Sequence, residues 1–302
     1  MKKLLAIALT LMAGLAHASS SGYTQTKYPI VLAPGVLGFD QVLGISYWYE
    51  IPQGLTSEGA KVYVTSASAL NSSEVRGEQL LSQVQTILAV TGAQKVNLIG
   101  HSHGGFSARY VAAAIPNNVA SVTAVHSPTK GTPVADVLAG LPVGASSLLA
   151  SIGNAFAKVL DAVAGTSYAE SVTGALASLS TAGAATFNAS YPAGVPVTAC
   201  GQGAATGANG MKFYSWGGTS VMTNIFDPLD YLFEATSVAF KGAASDGLVG
   251  QCSSHFGVVL RDNYSWNHGD AIDQLLGLRG LFSSDPVAVF QAHANRLKLA
   301  GL

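Results

Sequence analysis

Short runs of apolar residues recur along the chain, and longer segments with helically spaced apolar positions separate them. Five such runs lie at residues 28–33, Val62–Val64, 96–99, Val119–Val125 and 212–216. Most of these runs show little of the alternation that marks a strand facing water on one side. Runs of this kind are typical of strands buried on both faces of a parallel sheet.

Two of the intervening segments have a helical pattern. Segment 73–90 places four apolar residues on one helical face: Leu80, Val84, Ile87 and Leu88. Gly92 is a typical helix stop, and Pro116 would end a second helix over residues 102–115. Alternation of strands with helices predicts an α/β fold in which helices flank a mainly parallel central sheet.

Residues 133–195 interrupt this alternation. The segment is rich in Ala, Gly, Ser, Leu and Val, and its only charged residues are Asp136, Lys158, Asp161 and Glu170. The pattern alone leaves two interpretations open: an ordinary core-packed pair of helices, or a mobile apolar cap over a site. The sequence shows no internal repeat and no linker that would divide the chain into independent domains.

Composition and charge exclude several classes of protein. Charged residues are only 10% of the 302 residues and hydrophobic residues are 49%, whereas a typical soluble domain has about 25% charged residues. Such a composition excludes an intrinsically disordered chain. The formal net charge is -1, and the only basic cluster is Lys2-Lys3. Because phosphate binding needs a basic patch, we expect no nucleic-acid partner.

Residues 1–18 have the three parts of a secretory signal. Two lysines precede an apolar stretch of about a dozen residues, and Ala16-His17-Ala18 provides a cleavage site. The pattern predicts a cleaved signal peptide and a mature chain that begins at Ser19 and is secreted through the periplasm. An N-terminal membrane anchor is the alternative, but a span needs roughly 20 apolar residues. We expect no transmembrane segment in the mature chain.

The chain has two cysteines, Cys200 and Cys252. In the oxidising environment of a secreted protein, an isolated pair is predicted to form one disulfide. It would close a loop of about 50 residues and stabilise the fold by roughly 4 kcal/mol in the chain-entropy model. A catalytic thiol or a metal ligand is the alternative, although neither cysteine lies in a suitable motif.

A candidate nucleophile follows the third apolar run. The pentapeptide G-x-S-x-G consists of Gly100, His101, Ser102, His103 and Gly104. It follows a predicted strand and opens a predicted helix, as a nucleophile elbow requires. Glycines would let strand and helix approach closely while Ser102 sits in a sharp turn above the helix N-terminus. The alternative is a glycine-rich turn after a buried strand.

A catalytic serine needs a histidine base, which an acid orients, in the chain order serine, acid, histidine. The downstream histidines are His126, His255, His268 and His293, and the acids include Asp227, Asp230, Glu234, Asp246 and Asp262. Asp246 lies in a polar turn and His268 in a polar loop before a helical pattern, so spacing favours this pair. His293 is expected to be a surface or structural residue.

Eight segments of the sequence resemble the Pseudomonas/Burkholderia-type secreted triacylglycerol lipases. They lie at 28–33, 37–40, 76–81, 95–105, 246–250, 252–255, 261–264 and 293–298, together with Gly35. The resemblance spans nearly the whole mature chain and is far more specific than the elbow motif alone. It implies an α/β-hydrolase fold with an inserted helical lid within about residues 140–170.

The resemblance also implies the site residues. It assigns the triad to Ser102, Asp246 and His268, and the oxyanion hole to the backbone N–H groups of Val36 and His103. It implies one structural Ca²⁺ ion held by the carboxylates of Asp227 and Asp270 and by the carbonyl oxygens of Gln274 and Leu278. An alternative for the two acids is a helix start at Asp227 and an N-cap at Asp270. The resemblance further supports the Cys200–Cys252 disulfide and implies a lipase-specific folding chaperone.

Two departures from the family pattern lie near the predicted site. The family's His-Gly in the first oxyanion loop is Pro34-Gly35 here, so we expect this loop to be held differently. The family's Gly-x-Pro-His-(Lys/Arg)-Gly segment reads 126–131 here and begins with His126, which is expected to be structural. Neither departure removes a triad residue.

These features predict a secreted serine ester hydrolase that cleaves triacylglycerols with long acyl chains at a lipid–water interface through an acyl-enzyme. The nearest alternative is a carboxylesterase, or a polyester or sterol-ester hydrolase, with the same triad. A secreted binding or surface-adhesion protein that keeps the fold without chemistry is an alternative of a different class.

Overall fold

The computed structural model describes residues 22–36, 41–42, 45–140 and 168–302. The predicted signal peptide over residues 1–18 lies outside the described residues, as does all but the edges of the predicted lid over residues 140–170. None of the described helices is long and apolar enough to cross a membrane.

Six strands form the central sheet: β1 (Ile30–Ala33), β4 (Val62–Val64), β5 (Val96–His101), β6 (Val119–Val125), β7 (Lys212–Gly218) and β8 (Val258–Tyr264). They lie in the order β4-β1-β5-β6-β7-β8, and every neighbouring pair is parallel. A two-stranded antiparallel ribbon joins β2 (Gln41–Val42) to β3 (Ile45–Ser46). The predicted mainly parallel sheet and its five predicted strands are therefore confirmed.

Strand β8 is the one member of this sheet that the apolar runs did not predict. It lies at the edge of the described sheet, next to β7, and its residues are partly exposed. Polar residues such as Arg261 and Asp262 are tolerated there, so the strand lacks the continuous apolar run of a central strand.

Eight helices and four short 3₁₀ helices connect the described strands. The helices are α1 (Ile51–Ser57), α2 (Ser73–Thr91), α3 (Gly104–Ala114), α4 (Pro133–Ala139), α5 (Val172–Leu179), α6 (Thr181–Ser190), α7 (Pro228–Ser237) and α8 (Pro286–Leu299). The 3₁₀ helices are Pro116–Asn118, Val238–Phe240, Gln251–Ser254 and Asp270–Ile272.

Helix α2 confirms the predicted helix over residues 73–90. The Ser72 side chain accepts a hydrogen bond from the N–H of Val75, which caps the first turn. Gly92 ends the helix at a φ of 65°, and its N–H donates to the carbonyl of Leu88 at 3.0 Å. Helix α3 begins at Gly104, two residues later than predicted, because Ser102 and His103 belong to the turn.

The sheet is buried on both faces, since successive residues of its central strands enter different cores. Val31 and Leu98 belong to the core formed with α2 and α3. Their neighbours Leu32 and Ile99 belong to the core formed with Trp48, α1 and α8. This alternation explains why the central strands are apolar at nearly every position.

The described part of segment 133–195 packs as an ordinary set of helices. Phe106 of α3 contacts a cluster that includes Ala135 of α4, Leu179 of α5 and Phe187 of α6. The core-packed interpretation therefore applies to these helices. The other interpretation, an apolar cap, was predicted within about residues 140–170, of which residues 141–167 lie outside the described residues.

Cys200 and Cys252 form the predicted disulfide. Cys252 belongs to the 3₁₀ helix Gln251–Ser254, shortly after Asp246 in the chain. The bond therefore ties the loop that follows α6 to the segment that carries the predicted catalytic acid.

Candidate active site

Ser102 sits in a sharp turn between β5 and α3. Its φ is 54°, in the left-handed region that few residues other than glycine adopt. A Cβ on Gly100 would lie 2.2 Å from the carbonyl oxygen of Gly104, and a Cβ on Gly104 would lie 2.2 Å from that of Ala33. The predicted steric need for both glycines is confirmed, and this strand-turn-helix has the form of a nucleophile elbow.

Asp246 and His268 form the hydrogen-bonded pair that spacing favoured. His268 Nδ1 donates to Asp246 Oδ2 at 2.9 Å, and the backbone N–H of His268 donates to the Asp246 carbonyl at 2.9 Å. Asp246 Oδ1 accepts from the N–H groups of Leu248 and Val249 at 2.9 and 2.6 Å. Although the turn is polar in sequence, the carboxylate is buried, with 1% of Asp246 exposed.

Asp246 is ionised despite this burial. Burial raises the pKa of its carboxyl group, but the imidazole of His268 and the hydrogen bonds from His126 and His268 outweigh it. Together they hold the pKa of Asp246 well below its usual range. Because an ionised carboxylate only accepts hydrogen bonds, Nδ1 of His268 carries a proton, and Nε2 is the nitrogen left to act as a base.

The elbow and this pair meet through His101. His101 Nε2 donates to the carbonyl of His268 at 3.1 Å, and the two imidazole centroids are 4.7 Å apart. No hydrogen bond joins the Ser102 hydroxyl to the His268 ring among the described residues. In free enzymes this contact is often long and tightens when substrate binds.

The other candidate histidines and acids have different partners. His255 contacts Asp262 at 3.0 Å, and His293 is buried against Thr123, so it is structural and not at the surface. Asp230 accepts from the Asn267 side chain at 2.6 Å, and Glu234 is exposed on α7.

His126 makes a contact that sequence reasoning missed. Its Nδ1 lies 2.6 Å from Asp246 Oδ2, the oxygen that also accepts from His268. The two nitrogens and this oxygen are all within 4.8 Å of one another. Donor atoms around a tetrahedral metal ion lie about 3.3 Å apart. The nitrogen–oxygen distances of 2.6 and 2.9 Å are shorter and are those of hydrogen bonds, so a proton and not a metal ion lies between each nitrogen and the oxygen. The only signal in the sequence was the departure from the family's glycine.

A hydrogen-bond chain connects the first oxyanion loop with the elbow. The N–H of Gly35 donates to the Tyr47 hydroxyl at 2.8 Å, and that hydroxyl contacts His101 Nδ1 at 2.7 Å. Arg76 is fully buried, and its Nη2 donates to the carbonyls of Pro34 and Gly35 at 2.8 and 2.6 Å. The loop is thus held through backbone groups, which need nothing from the Pro34 side chain.

One predicted oxyanion donor, His103, follows Ser102 in the chain, and the other, Val36, follows a residue that packs against the serine. A Cβ on Gly35 would lie 2.6 Å from the Cβ of Ser102, so the residue before Val36 packs directly against the serine. His103 follows Ser102 at the start of α3, and its Nε2 contacts the Ser73 hydroxyl at 2.9 Å. In the described part of the chain, the N–H groups of Val36 and His103 have no protein acceptor.

The predicted calcium ligands belong to adjoining segments. Asp227 caps α7 through Leu229 N–H at 2.8 Å, and its other oxygen accepts from Leu275 N–H at 3.3 Å. A Cβ on Gly269, the residue before Asp270, would lie 3.5 Å from the Gln274 carbonyl oxygen. Leu278 lies in the same segment, where its N–H donates to the carbonyl of Leu275. Asp227 is thus an N-cap as the alternative proposed, whereas Asp270 is not, since Gly269 holds that position.

The chemistry of this donor set fits a hard cation. One carboxylate oxygen of Asp270, Oδ1, is buried and has no hydrogen-bond partner among the described residues. Burial, with the charges of Asp230 and Asp227, raises the pKa of Asp270 to about 7. Burial also raises the pKa of Asp227. A bound Ca²⁺ would compensate both effects, because it prefers carboxylate and carbonyl oxygens.

Large apolar side chains are exposed on two neighbouring segments beside this loop. They are Met222, Ile225, Phe226 and Tyr231 on one segment, and Leu276, Leu281 and Phe282 on the other. Asn224 Nδ2 donates to the Arg279 carbonyl at 3.2 Å, which joins the two segments. We call these seven side chains the apolar surface.

Comparison with known proteins identifies relatives over almost the whole chain. A family model described as the α/β hydrolase fold matches residues 28–271. A triacylglycerol lipase of Vibrio cholerae is 50% identical over 292 residues, which are 95% of this chain and 93% of the relative. Triacylglycerol lipases of Burkholderia plantarii and Pseudomonas fragi are 41% and 39% identical, over 98% and 92% of this chain and 93% and 98% of the relatives.

Solved structures show the same fold at low sequence identity. The mature lipase BlEst2 of Bacillus licheniformis has a TM-score of 0.63 at 17% identity, covering 90% of this chain and 93% of that one. Staphylococcus hyicus lipase has a TM-score of 0.60 at 16% identity, covering 91% and 97%. The chain belongs to the α/β-hydrolase fold family and, within it, groups with the bacterial triacylglycerol lipases.

Proposed function

We propose that this chain is a secreted lipase that hydrolyses triacylglycerols at lipid–water interfaces through an acyl-enzyme on Ser102. The observation that carries the proposal is the Asp246–His268 hydrogen bond of 2.9 Å beside a serine in a nucleophile elbow. The lipase relatives favour acylglycerols as the substrate. The signal peptide and the folding chaperone stay predictions from the sequence.

The mechanism follows from the tautomer of His268. Because Nδ1 donates to Asp246, Nε2 takes the proton of the Ser102 hydroxyl as the serine attacks the ester carbonyl. The ionised Asp246 stabilises the imidazolium that forms. Nε2 then gives the proton to the leaving alcohol, and water activated by the same nitrogen cleaves the acyl-enzyme.

The negative charge of the tetrahedral intermediate would be stabilised by the N–H groups of Val36 and His103. Val36 follows Gly35, which packs against Ser102, and His103 follows Ser102 itself. Neither N–H donates to an acceptor in the described ranges. Each such donor contributes about 2.7–4 kcal/mol to transition-state stabilisation where one has been removed in another serine hydrolase.

A structural Ca²⁺ ion would be held by the carboxylates of Asp227 and Asp270 with the carbonyl oxygens of Gln274 and Leu278. The ion would supply positive charge to two buried carboxylates and would not contact substrate. Asp270 lies two residues after His268, and its Oδ2 accepts from the N–H of Asn267 at 3.0 Å. Fixing Asp270 therefore also fixes the loop that carries the base.

The apolar surface favours an insoluble substrate. Phe226 is 79% exposed and Phe282 is fully exposed. Large exposed apolar side chains on two adjoining segments are unusual on a protein that acts only in water, and such groups mark interaction sites. Contact with a lipid surface would bury these apolar side chains, and Arg279, which lies between Leu276 and Leu281, is paired with Asp273 at 2.6 Å.

One assay series tests the proposal. Hydrolysis is measured on a short-chain triacylglycerol as its concentration passes its solubility limit, with a soluble ester of the same acyl group as reference. We expect the rate to rise where the interface appears, and Ser102→Ala to lose about 10⁵- to 10⁶-fold. Ser107→Ala is the matched control, because Ser107 is also buried and lies on α3.

Two results would contradict the proposal. A rate that does not rise at the solubility limit, with high activity on the soluble ester, would indicate a carboxylesterase instead. Full activity of Ser102→Ala would exclude this serine as the nucleophile and would mean that another group catalyses the reaction.

A further inference from the structure

His126 shares one carboxylate oxygen of Asp246 with His268. It directly follows β6, is fully buried, and has a φ of 46°. Its Nδ1 lies 2.6 Å from Asp246 Oδ2, and His268 Nδ1 lies 2.9 Å from the same atom. The carboxylate therefore accepts four hydrogen bonds, two from imidazoles and two from backbone N–H groups.

The partners of His126 determine its protonation. An ionised carboxylate can only accept, so Nδ1 of His126 carries the proton. Nε2 is buried and has no hydrogen-bond partner among the described residues. A proton there would be a buried donor without an acceptor, which is costly. His126 is thus a neutral imidazole with a single N–H, and that N–H points at Asp246.

We propose that His126 is a positioning residue for ester hydrolysis, which holds the Asp246 carboxylate in the orientation that His268 needs. This inference rests on the proposed function. The N–H groups of Leu248 and Val249 anchor Oδ1, and His126 anchors Oδ2. With both oxygens anchored, the carboxylate cannot rotate away from His268, and water cannot take the place that His126 occupies.

Neighbouring residues hold the backbone of His126 and leave space for its ring. Its backbone N–H donates to the Trp216 carbonyl at 2.9 Å. Gly218 leaves the space that the ring fills, because a Cβ there would lie 2.7 Å from Cε1 of His126. The Trp266 ring lies 6.2 Å away on another side. The only titratable groups in contact range among the described residues are Asp246, His268 and His101.

Two substitutions separate the N–H from the rest of the side chain. Glycine and asparagine both tolerate a positive φ, so neither His126→Gly nor His126→Asn strains the backbone. Asparagine keeps a donor in place of Nδ1, whereas glycine has none. For a soluble ester, we expect kcat of His126→Gly to fall about 10- to 100-fold with KM unchanged, and His126→Asn to restore most of it.

A double-mutant cycle shows whether His126 acts through Asp246. In an Asp246→Asn background, we expect His126→Gly to cause little further loss of kcat, because the carboxylate that it positions is gone. Covalent titration of Ser102 with a phosphonate ester counts the folded sites. The wild type and both variants should reach the same end point, with His126→Gly reaching it more slowly.

The proposal would be overturned by wild-type kcat in His126→Gly, by equal loss in the glycine and asparagine variants at equal end points, or by fully additive losses in the cycle. The proposed function fails separately, since its failure appears as activity and phosphonate labelling that persist in Ser102→Ala. If the glycine variant does not fold, His126→Ala replaces it in both comparisons, because alanine also lacks a side-chain donor.

Discussion

The hydroxyl of Tyr47 lies 2.7 Å from Nδ1 of His101, and the neighbouring groups determine the direction of this hydrogen bond. Because the His268 carbonyl can only accept, Nε2 of His101 carries the ring proton and donates to it. Burial keeps the ring neutral, so Nδ1 is bare and accepts from the Tyr47 hydroxyl, whose oxygen accepts from the N–H of Gly35. One continuous chain thus connects the first oxyanion loop with the loop of the base.

Removal of the Tyr47 hydroxyl should weaken both ends of this chain. Burial raises the pKa of Tyr47 and lowers the pKa of His101, so both side chains are neutral near pH 7. Tyr47→Phe leaves the Gly35 N–H and His101 Nδ1 unpaired in a buried site. We expect a loss of about 1–3 kcal/mol in the free energy of unfolding and a kcat about tenfold lower on a soluble ester.

Tyr49→Phe is the matched control, because Tyr49 lies two residues further along the chain and is only partly buried. Its kcat and its urea midpoint should stay close to those of the wild type. A Tyr47→Phe enzyme with unchanged kcat would show that the chain stabilises the fold without positioning the site.

Calcium should stabilise the loop of His268. We expect a chelator to lower Tm of the wild type by about 5–10 °C, since a bound ligand at 100 times its Kd contributes about 2.7 kcal/mol. Asp270→Asn should have the low Tm with or without chelator. Scanning calorimetry with added Ca²⁺ or EGTA measures both.

Glu234→Gln serves as the control for calcium, since Glu234 is an exposed acid on α7. It should keep the wild-type response to chelation. A wild-type Tm that is the same in Ca²⁺ and in EGTA would exclude the ion from Asp227 and Asp270, and their burial would then need another explanation.

The local parts of this site were readable from the sequence, whereas its long-range contacts were not. The elbow is a contiguous motif, and its two glycines have steric reasons that depend on one turn. His126 and Asp246 are 120 positions apart. They meet because β6, which His126 follows, ends beside β7, and the connection after β7 carries Asp246. In a parallel sheet the loops that follow neighbouring strands converge at the same edge. Spacing alone does not reveal which side chain of those loops faces another.

The apolar surface should matter for emulsions and not for soluble esters. Burying one phenylalanine contributes roughly 2 kcal/mol, so Phe226→Ser with Phe282→Ser should weaken adsorption to lipid by about 100-fold or more. We expect the hydrolysis of an emulsion to fall accordingly, with kcat on a soluble ester unchanged. Adsorption to a lipid monolayer, followed by surface pressure, measures the first effect directly.

Val90→Ser provides the control for the apolar surface, because Val90 is 73% exposed but lies at the end of α2. This variant should adsorb like the wild type. If the double serine variant also adsorbs like the wild type, the lipid contact must be made elsewhere on the chain.

The apolar surface bears on why the sequence contains so few charged residues. In the sequence, the shortage of charged residues is marked at residues 133–195. Ordinary packing of α4, α5 and α6 against Phe106 explains part of this shortage. Val137 and Val172 are exposed within 133–195, but seven of the exposed large apolar residues that the structure describes lie at 222–231 and 276–282. Composition predicts how many apolar residues a chain must place, but only the tertiary structure determines which of them remain exposed.

His293 should make the protein sensitive to acid. It is 1% exposed, its Nε2 contacts Thr123 Oγ1 at 2.8 Å, and Arg296 Nη1 donates to its Nδ1 at 3.2 Å. Burial, followed by the charge of Arg296, lowers the pKa of His293 from 6.5 to about 3. Below pH 6.5 His293 is therefore protonated in the unfolded chain, whereas in the folded chain it stays neutral until about pH 3.

The stability that His293 contributes is thus present above pH 6.5 and is lost as the pH falls toward 3, by about 1.4 kcal/mol per pH unit. His293→Gln removes this titration and costs about 1–3 kcal/mol at pH 7. Urea unfolding at pH 7, 5.5 and 4.5 measures the free energy of unfolding of both proteins. The gap in this free energy between variant and wild type should shrink as the pH falls. Thr123→Val keeps the imidazole, so its gap should persist. A constant gap for His293→Gln would mean that folding does not shift the pKa of His293.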